Sequence, residues 1–161
     1  MIQLKHVLVA TDFSPASETA LRYGRALART FGATLHVLHV TENVFFRSTA
    51  GDPVAIKATA WWMLNDALTD DDRKKLRARA VLETCDNPVD AIVDYAKRSA
   101  IDLVVMGTHG RGAVSQLLLG SVAERVVRMA SCPVLTVRHP EHEFVYPRGL
   151  EGASACRSGI H

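Results

Sequence analysis

Residues 101–138 read IDLVVMGTHGRGAVSQLLLGSVAERVVRMASCPVLTVR and set three glycines between an apolar strand and the start of a helix, an arrangement that decides how the chain is read. Residues 101–106 form an apolar run broken only by Asp102, the pattern of a parallel strand covered on both faces. Gly107 ends that run, Gly110 and Gly120 follow, and Ser121 opens an amphipathic helix, giving G-x-x-G, nine residues, then G-S. Glycine lets backbone N–H groups approach an anion with no Cβ in the way, and a helix start adds unpaired donors and the positive end of its dipole. At a glycine frequency of about 7%, roughly 5% of chains this long would show the same offsets by chance, so spacing alone decides little. The context carries the phosphate-loop reading: a strand before the glycines, a helix after them, and a second apolar strand at 133–137. The competing reading makes Gly107 a strand-end turn and Ser121 an N-cap whose capping box is completed by Glu124.

Working outward, strand and helix signals alternate along the chain, which predicts an α/β fold with a mainly parallel sheet. A strand is expected over 4–10, followed by Ser14-Pro15, a cap residue and a first-turn proline. The next helix turns Ala20, Leu21, Gly24, Leu27, Ala28 and Phe31 inward and Arg22, Arg25 and Arg29 mostly outward, and Gly32 ends it. A second strand is expected over 33–40, then a polar loop over 41–52 of a length associated either with a lid or binding loop or with plain disorder. A helix over 53–68 takes its bulk from Trp61, Trp62 and Leu64, assigned to core or interface. The run Asp70-Asp71-Asp72-Arg73-Lys74-Lys75 reads as a solvated turn before a strand over 76–83. Asn87-Pro88 with Asp90 starts a helix running to about 99, which leads into the glycine-bearing strand. In a parallel sheet every strand-to-helix turn lies at the carboxyl edge, so the Asp12 turn and the Gly107 loop meet in one crevice if the first and fourth strands are neighbours.

At 161 residues and 48% hydrophobic content the chain suits one domain with a real core, 1–138, followed by a tail over 139–161 where the periodicity is lost. Its 19 basic and 17 acidic residues, a net charge of +2, are too balanced to imply a nucleic-acid or membrane surface. Cys85, Cys132 and Cys156 are odd in number with no C-x-x-C, which argues against a disulfide frame or a zinc knuckle and for a reducing, cytoplasmic setting. The first residues read as a strand, with no secretory leader or membrane span expected.

With Asp12 after the first strand and the glycines after the fourth, the chain resembles the universal stress protein family, over nearly all of 1–138. The resemblance rests on VLVATDFSPAS, on HVLHV, and above all on GTHGRGAVSQLLLGSVAERVVRMASCPVLTVR. The intact G-x-x-G-x9-G-[ST] pattern marks the family's ATP-binding subtype. The resemblance implies a five-stranded parallel sheet of order 3-2-1-4-5 with helices on both faces, Rossmann-like and akin to the adenine nucleotide alpha hydrolases. It also implies a homodimer through the last strand, Pro133-Val134-Leu135-Thr136-Val137, whose apolar edge suits that role. Carried over by position, Ala10, Thr11, Asp12 and Val40 would line the adenosine end of a site for ATP or another adenine nucleotide, with Mg2+ or Mn2+ beside the phosphates. Met106, Gly107 and Gly110 would follow the ribose and phosphates, and Gly120, Ser121, Val122 and Ala123 would close on the phosphates.

Asp12 has two readings: a contact to ribose, adenine or a metal, or an acceptor for the amides of its own turn. Arg111 can supply a charge-assisted contact to phosphate, and His109 shares its loop. His36 and His39, three apart on a strand, point to opposite faces and are assigned structural roles. There is no G-x-x-x-x-G-K-[ST], hence no P-loop lysine, and efficient hydrolysis is not expected. The leading expectation is a nucleotide-dependent stress-response regulator; the alternatives are a slow ATPase or phosphotransferase, and a dimeric interaction protein that uses no nucleotide.

Overall fold

The structure, a computed structural model, describes residues 1–41, 52–109 and 119–139. The elements are β1 (His6–Ala10), α1 (Pro15–Phe31), β2 (Thr34–Thr41), α2 (Pro53–Asp66), α3 (Asp70–Lys75), β3 (Arg79–Thr84), α4 (Pro88–Arg98), β4 (Leu103–Gly107), α5 (Ser121–Met129) and β5 (Val134–Val137). All strand pairings are parallel, in the order β3-β2-β1-β4-β5, which is the order the family resemblance implies. The polar loop after β2, Gly110, Arg111 and nearly all of the C-terminal tail fall outside the described residues.

The apolar runs explain the layering. Val7, Leu8 and Val9 of β1 and Val104 and Val105 of β4 are fully buried, as a sheet sandwiched between two helical layers requires. Alternation sends Val7, Val9, Leu35 and Val37 to a core shared with α1, while Leu8, Leu38, Val104 and Met106 face Val89, Ile92 and Tyr95 of α4 and Val126 of α5. Ser14 caps α1 and accepts from the Ser17 amide, Pro15 follows, and Gly32 ends the helix at φ 66°, as its sequence signals indicated. Asp102, the acid in the apolar run, lies just before β4 and accepts from the amides of Lys5 and His6 at 2.7 and 2.8 Å, pinning the start of β1.

Two expectations fail for physical reasons. The acidic-basic run is not a solvated turn but the short helix α3, capped by a Thr69–Asp72 capping box. Asp72 is completely buried and receives Arg25 at 2.8 Å, while the other Arg25 nitrogen reaches the Ala67 carbonyl; Arg25 is thus an inward tether of α1. Burial alone would raise the Asp72 pKa, but hydrogen bonds from Arg25 and Thr69 and the Arg25 charge hold it below the ordinary carboxylate range. Second, the third strand begins at Arg79, because Arg77 turns the chain through φ 49° and Leu76 is spent capping α3. Of the residues assigned to core or interface on α2, Leu64 is in the core, whereas Trp61 and Trp62 are 48% and 66% exposed and lie outside it.

His36 lies buried on β2 between His6, whose Nδ1 stands 3.2 Å from its Nε2, and the Tyr95 hydroxyl, 2.8 Å from its Nδ1. Burial, then the neighbouring His6, then Arg79 lower its pKa from 6.5 to about 4. Between these values the unfolded chain binds a proton that the folded chain refuses, so stability is complete above pH 6.5 and falls as the pH drops toward 4. Urea denaturation should therefore show a loss of about 2 kcal/mol between pH 7 and pH 4.5, and a His36→Phe variant should lose markedly less. An Asp72→Ala variant, which leaves Arg25 uncompensated, should lose about 2–3 kcal/mol at pH 7 in the same measurement.

Candidate functional site

Because β1 pairs with β4 in register from Val7↔Leu103 to Ala10↔Met106, the turns that follow the two strands emerge side by side. Between them, at the carboxyl edge of the sheet, lies a crevice of about 460 Å³. Ala10, Thr11 and Asp12 reach it from β1, Leu38, His39 and Val40 from β2, and Met106, Gly107, Thr108 and His109 from β4. The start of α5 contributes Gly120, Ser121, Val122 and Ala123, while Cys85, Pro88 and Ile92 come from the β3–α4 side, and Ser17 from α1.

Of the twelve positions singled out in the sequence, ten line this crevice: Ala10, Thr11, Asp12, Val40, Met106, Gly107, Gly120, Ser121, Val122 and Ala123. Gly110 and Arg111 lie outside the described residues. The lining also contains residues that sequence reasoning had not placed there. His39 had been assigned a structural role, yet at the last turn of β2, beside Val40, it reaches the crevice rim. Cys85, Pro88 and Ile92 carry no motif; only their position after an apolar strand could have marked them.

Two glycines have a steric reason to be there. A Cβ at Gly107 would stand 2.9 Å from the Ala16 Cβ, so glycine lets the first turn of α1 lie against the end of β4. A Cβ at Gly120 would stand 2.9 Å from the Thr108 carbonyl oxygen, to which the Gly120 amide donates at 2.7 Å. That bond ties the start of α5 to the end of β4. Gly120 is the N-cap, so the box of Ser121 with Glu124 does not form, and no side chain among the described residues caps the helix. Amides of the first turn of α5 therefore stay available at the crevice wall, with the positive end of the helix dipole behind them.

The β1–α1 turn is unusually ordered. Asp12 accepts on Oδ1 from the Ser14 amide at 3.0 Å and the Ser14 hydroxyl at 2.5 Å, so the turn-acceptor role foreseen for it is present. Thr11 Oγ1 accepts from the Phe13 amide and donates to Ser17 Oγ, both at 3.0 Å. Phe13 adopts φ 63°, a left-handed conformation that costs a non-glycine residue about 1 kcal/mol or more. On the opposite wall His109 joins its Nδ1 to Thr108 Oγ1 at 2.9 Å, while its Nε2 is buried with no partner among the described residues.

The profile of the universal stress protein family matches residues 3–138. The chain belongs to the universal stress protein family. Among curated family members it is 30% identical over 152 residues to universal stress protein MJ0531 of Methanocaldococcus jannaschii, covering 86% of this chain and 85% of that one. Among solved structures it superposes on that of MJ0577 with a TM-score of 0.67 and 26% identity, covering 85% and 97% of the two chains. Two further family structures hold nucleotides. One is a universal stress protein in complex with cAMP (TM-score 0.63, 27% identity, 84% and 98% covered). The other is the Archaeoglobus fulgidus protein in complex with dAMP (TM-score 0.61, 27% identity, 84% and 98% covered).

The contact at Gly120 gives a direct check on this family's loop-to-helix junction in the present chain. A Gly120→Ala variant must push the Thr108 carbonyl away, and thermal denaturation should show a loss of about 1–2 kcal/mol, the usual cost of overpacking against backbone.

Proposed function

We propose that this universal stress protein holds ATP or another adenine nucleotide in the crevice at the ends of β1 and β4, and acts as a nucleotide-dependent stress-response regulator. The observation that carries the reading is the uncapped start of α5, with Ser121, Val122 and Ala123 lining a crevice that Asp12 and Gly107 border from the neighbouring strands. Its apolar lining, including Leu38, Val40, Ile92 and Met106, suits a flat base, while Thr11, Asp12 and Ser121 suit the polar sugar and phosphates. The cAMP and dAMP complexes of relatives agree with an adenine nucleotide as the ligand class. In this reading Ala10, Thr11, Asp12 and Val40 line the adenosine end, Met106, Gly107 and Gly110 follow the ribose and phosphates, and Arg111 adds a charge to the phosphate end.

Among the described residues no group of three or more His, Cys, Asp or Glu side chains can hold a metal ion. Asp12 is the carboxylate of the crevice lining, and its Oδ1 is committed to Ser14. The residues present thus do not fit a metal cage of the protein's own; Mg2+ or Mn2+ enters this reading as a counter-ion of the nucleotide's phosphates. The sequence carries no G-x-x-x-x-G-K-[ST] motif, and with no P-loop lysine the reading is of a site that holds nucleotide more than it cleaves it. We further propose a homodimer through β5. Val134 and Leu135 are only half-buried on the last strand of the sheet order, and Val127 and Met129 of α5 are exposed. A cytoplasmic setting goes with this reading.

Isothermal calorimetry with ATP and AMP should give a dissociation constant of about 1–100 μM for at least one of them, and Gly120→Val should abolish the heat. Folded wild-type protein that binds neither would remove the nucleotide reading. A Leu135→Asp variant should sediment as a monomer where the wild type sediments as a dimer.

A further inference from the structure

The turn between β1 and α1 is held in a conformation its own residues would not choose. Phe13 sits at φ 63°, a region that favours glycine, and it directly follows the crevice residues Thr11 and Asp12. What opposes its relaxation comes from β2. His39 donates from Nδ1 to the Thr11 carbonyl at 2.8 Å, and the Phe13 ring lies tilted against the His39 ring, with 4.4 Å between centroids. Since a carbonyl can only accept, this bond fixes the proton of His39 on Nδ1. The second anchor is internal: Thr11 Oγ1 takes the Phe13 amide and passes the hydrogen bond on to Ser17, whose hydroxyl donates to the Ser14 carbonyl at 2.9 Å. Phe13 also packs against the α1 side of the core, so its ring has little room to follow a relaxing backbone.

A strained residue persists where its surroundings over-determine it, and such residues gather at ligand clamps. Rotating Phe13 to a negative φ would swing the Asp12–Phe13 peptide and break the bond from the Phe13 amide to Thr11. It would also turn Asp12 away from Ser14. We propose that Phe13 and His39 are positioning residues for the crevice: together they lock the Thr11–Asp12 segment in the orientation that receives the nucleotide's adenosine portion. This rests on the nucleotide reading given above and extends it to two residues that act through the turn without need of touching the ligand. His39 thereby couples the end of β2, where Val40 lines the crevice, to the end of β1. The site is preorganised before the ligand arrives.

Two rescue pairs separate this role from plain packing, with AMP binding measured by calorimetry. His39→Leu removes the donor, whereas His39→Asn keeps an N–H at the place of Nδ1. Phe13→Ala removes the ring and retains the resistance to positive φ, whereas Phe13→Gly removes the ring and accepts it. We expect His39→Leu and Phe13→Ala to bind AMP about tenfold more weakly than wild type, and His39→Asn and Phe13→Gly to recover to within about threefold. Unchanged binding by the first of each pair, or rescue variants as weak as the variants they should rescue, would overturn the proposal. Wild-type protein that binds no nucleotide overturns the nucleotide reading instead. The 15N shifts of the His39 imidazole in wild-type protein decide the clamp in that case, and equally if a variant does not fold: protonation on Nδ1 is expected, and a neutral ring carrying its proton on Nε2 would overturn it.

Discussion

Parallel pairing of β1 with both β2 and β4 is the constraint from which the other features of this molecule derive. The chain leaves β1 toward one edge of the sheet, builds β2 and β3, then returns past its own first strand to lay down β4 and β5. Helices that follow strands on the two sides of this reversal diverge, and the gap between their starts opens at the carboxyl edge. Apolar burial enforces the pairing. Val7, Leu8 and Val9 lose all exposure in β1, as do Val104 and Val105 in β4, and each such side chain contributes about 1.5–3 kcal/mol relative to leaving it in water. Asp102 then sets the register at the other end by taking the Lys5 and His6 amides.

The helices are positioned by contacts as specific as those of the strands. Gly107 admits the first turn of α1 against β4, and Gly120 admits the start of α5 against Thr108. Two of the three motif glycines therefore answer steric needs of the fold, whatever they also offer to a ligand. On the α1 face of the sheet, the buried Asp72 takes Arg25 from α1, so α3 and the end of α2 are fastened to the helix that begins at the crevice. Charge is used here as an internal fastening: Asp72 is sealed from water, and loss of Arg25 would leave its buried carboxylate without its nearest cation.

The fold was legible because its signals are local and redundant: Ser14-Pro15 and Gly32 bracket α1, apolar runs mark β1 and β4, and the glycine spacing marks the junction after β4. The crevice was legible for the residues that belong to those signals, from Ala10 to Asp12 and from Gly120 to Ala123. What escaped was whatever depends on partners distant in sequence. Asp72 looks like any acid in a charged run until Arg25, 47 residues earlier, is folded against it. His39 looks structural by strand alternation, since alternation assigns a face and says nothing about how near the strand's end the residue lies. Phe13 gives no hint of a positive φ, because one of the contacts that hold it there comes from a histidine on the next strand.

The two tryptophans of this chain both lie on α2, outside the core, with Val54 and Ala58 continuing the same helical stripe. Indole emission is thus a local reporter. It follows the surroundings of one helix face and is nearly blind to the packing of the sheet, whose centre is aliphatic. A fluorescence melt of this protein would record the release or covering of α2, while cooperative loss of the β1–β4 core would be visible only to circular dichroism or calorimetry. Coincidence of those probes becomes a statement about how tightly α2 is coupled to the rest, a coupling carried by Ala60, Leu64 and the Arg25–Ala67 hydrogen bond.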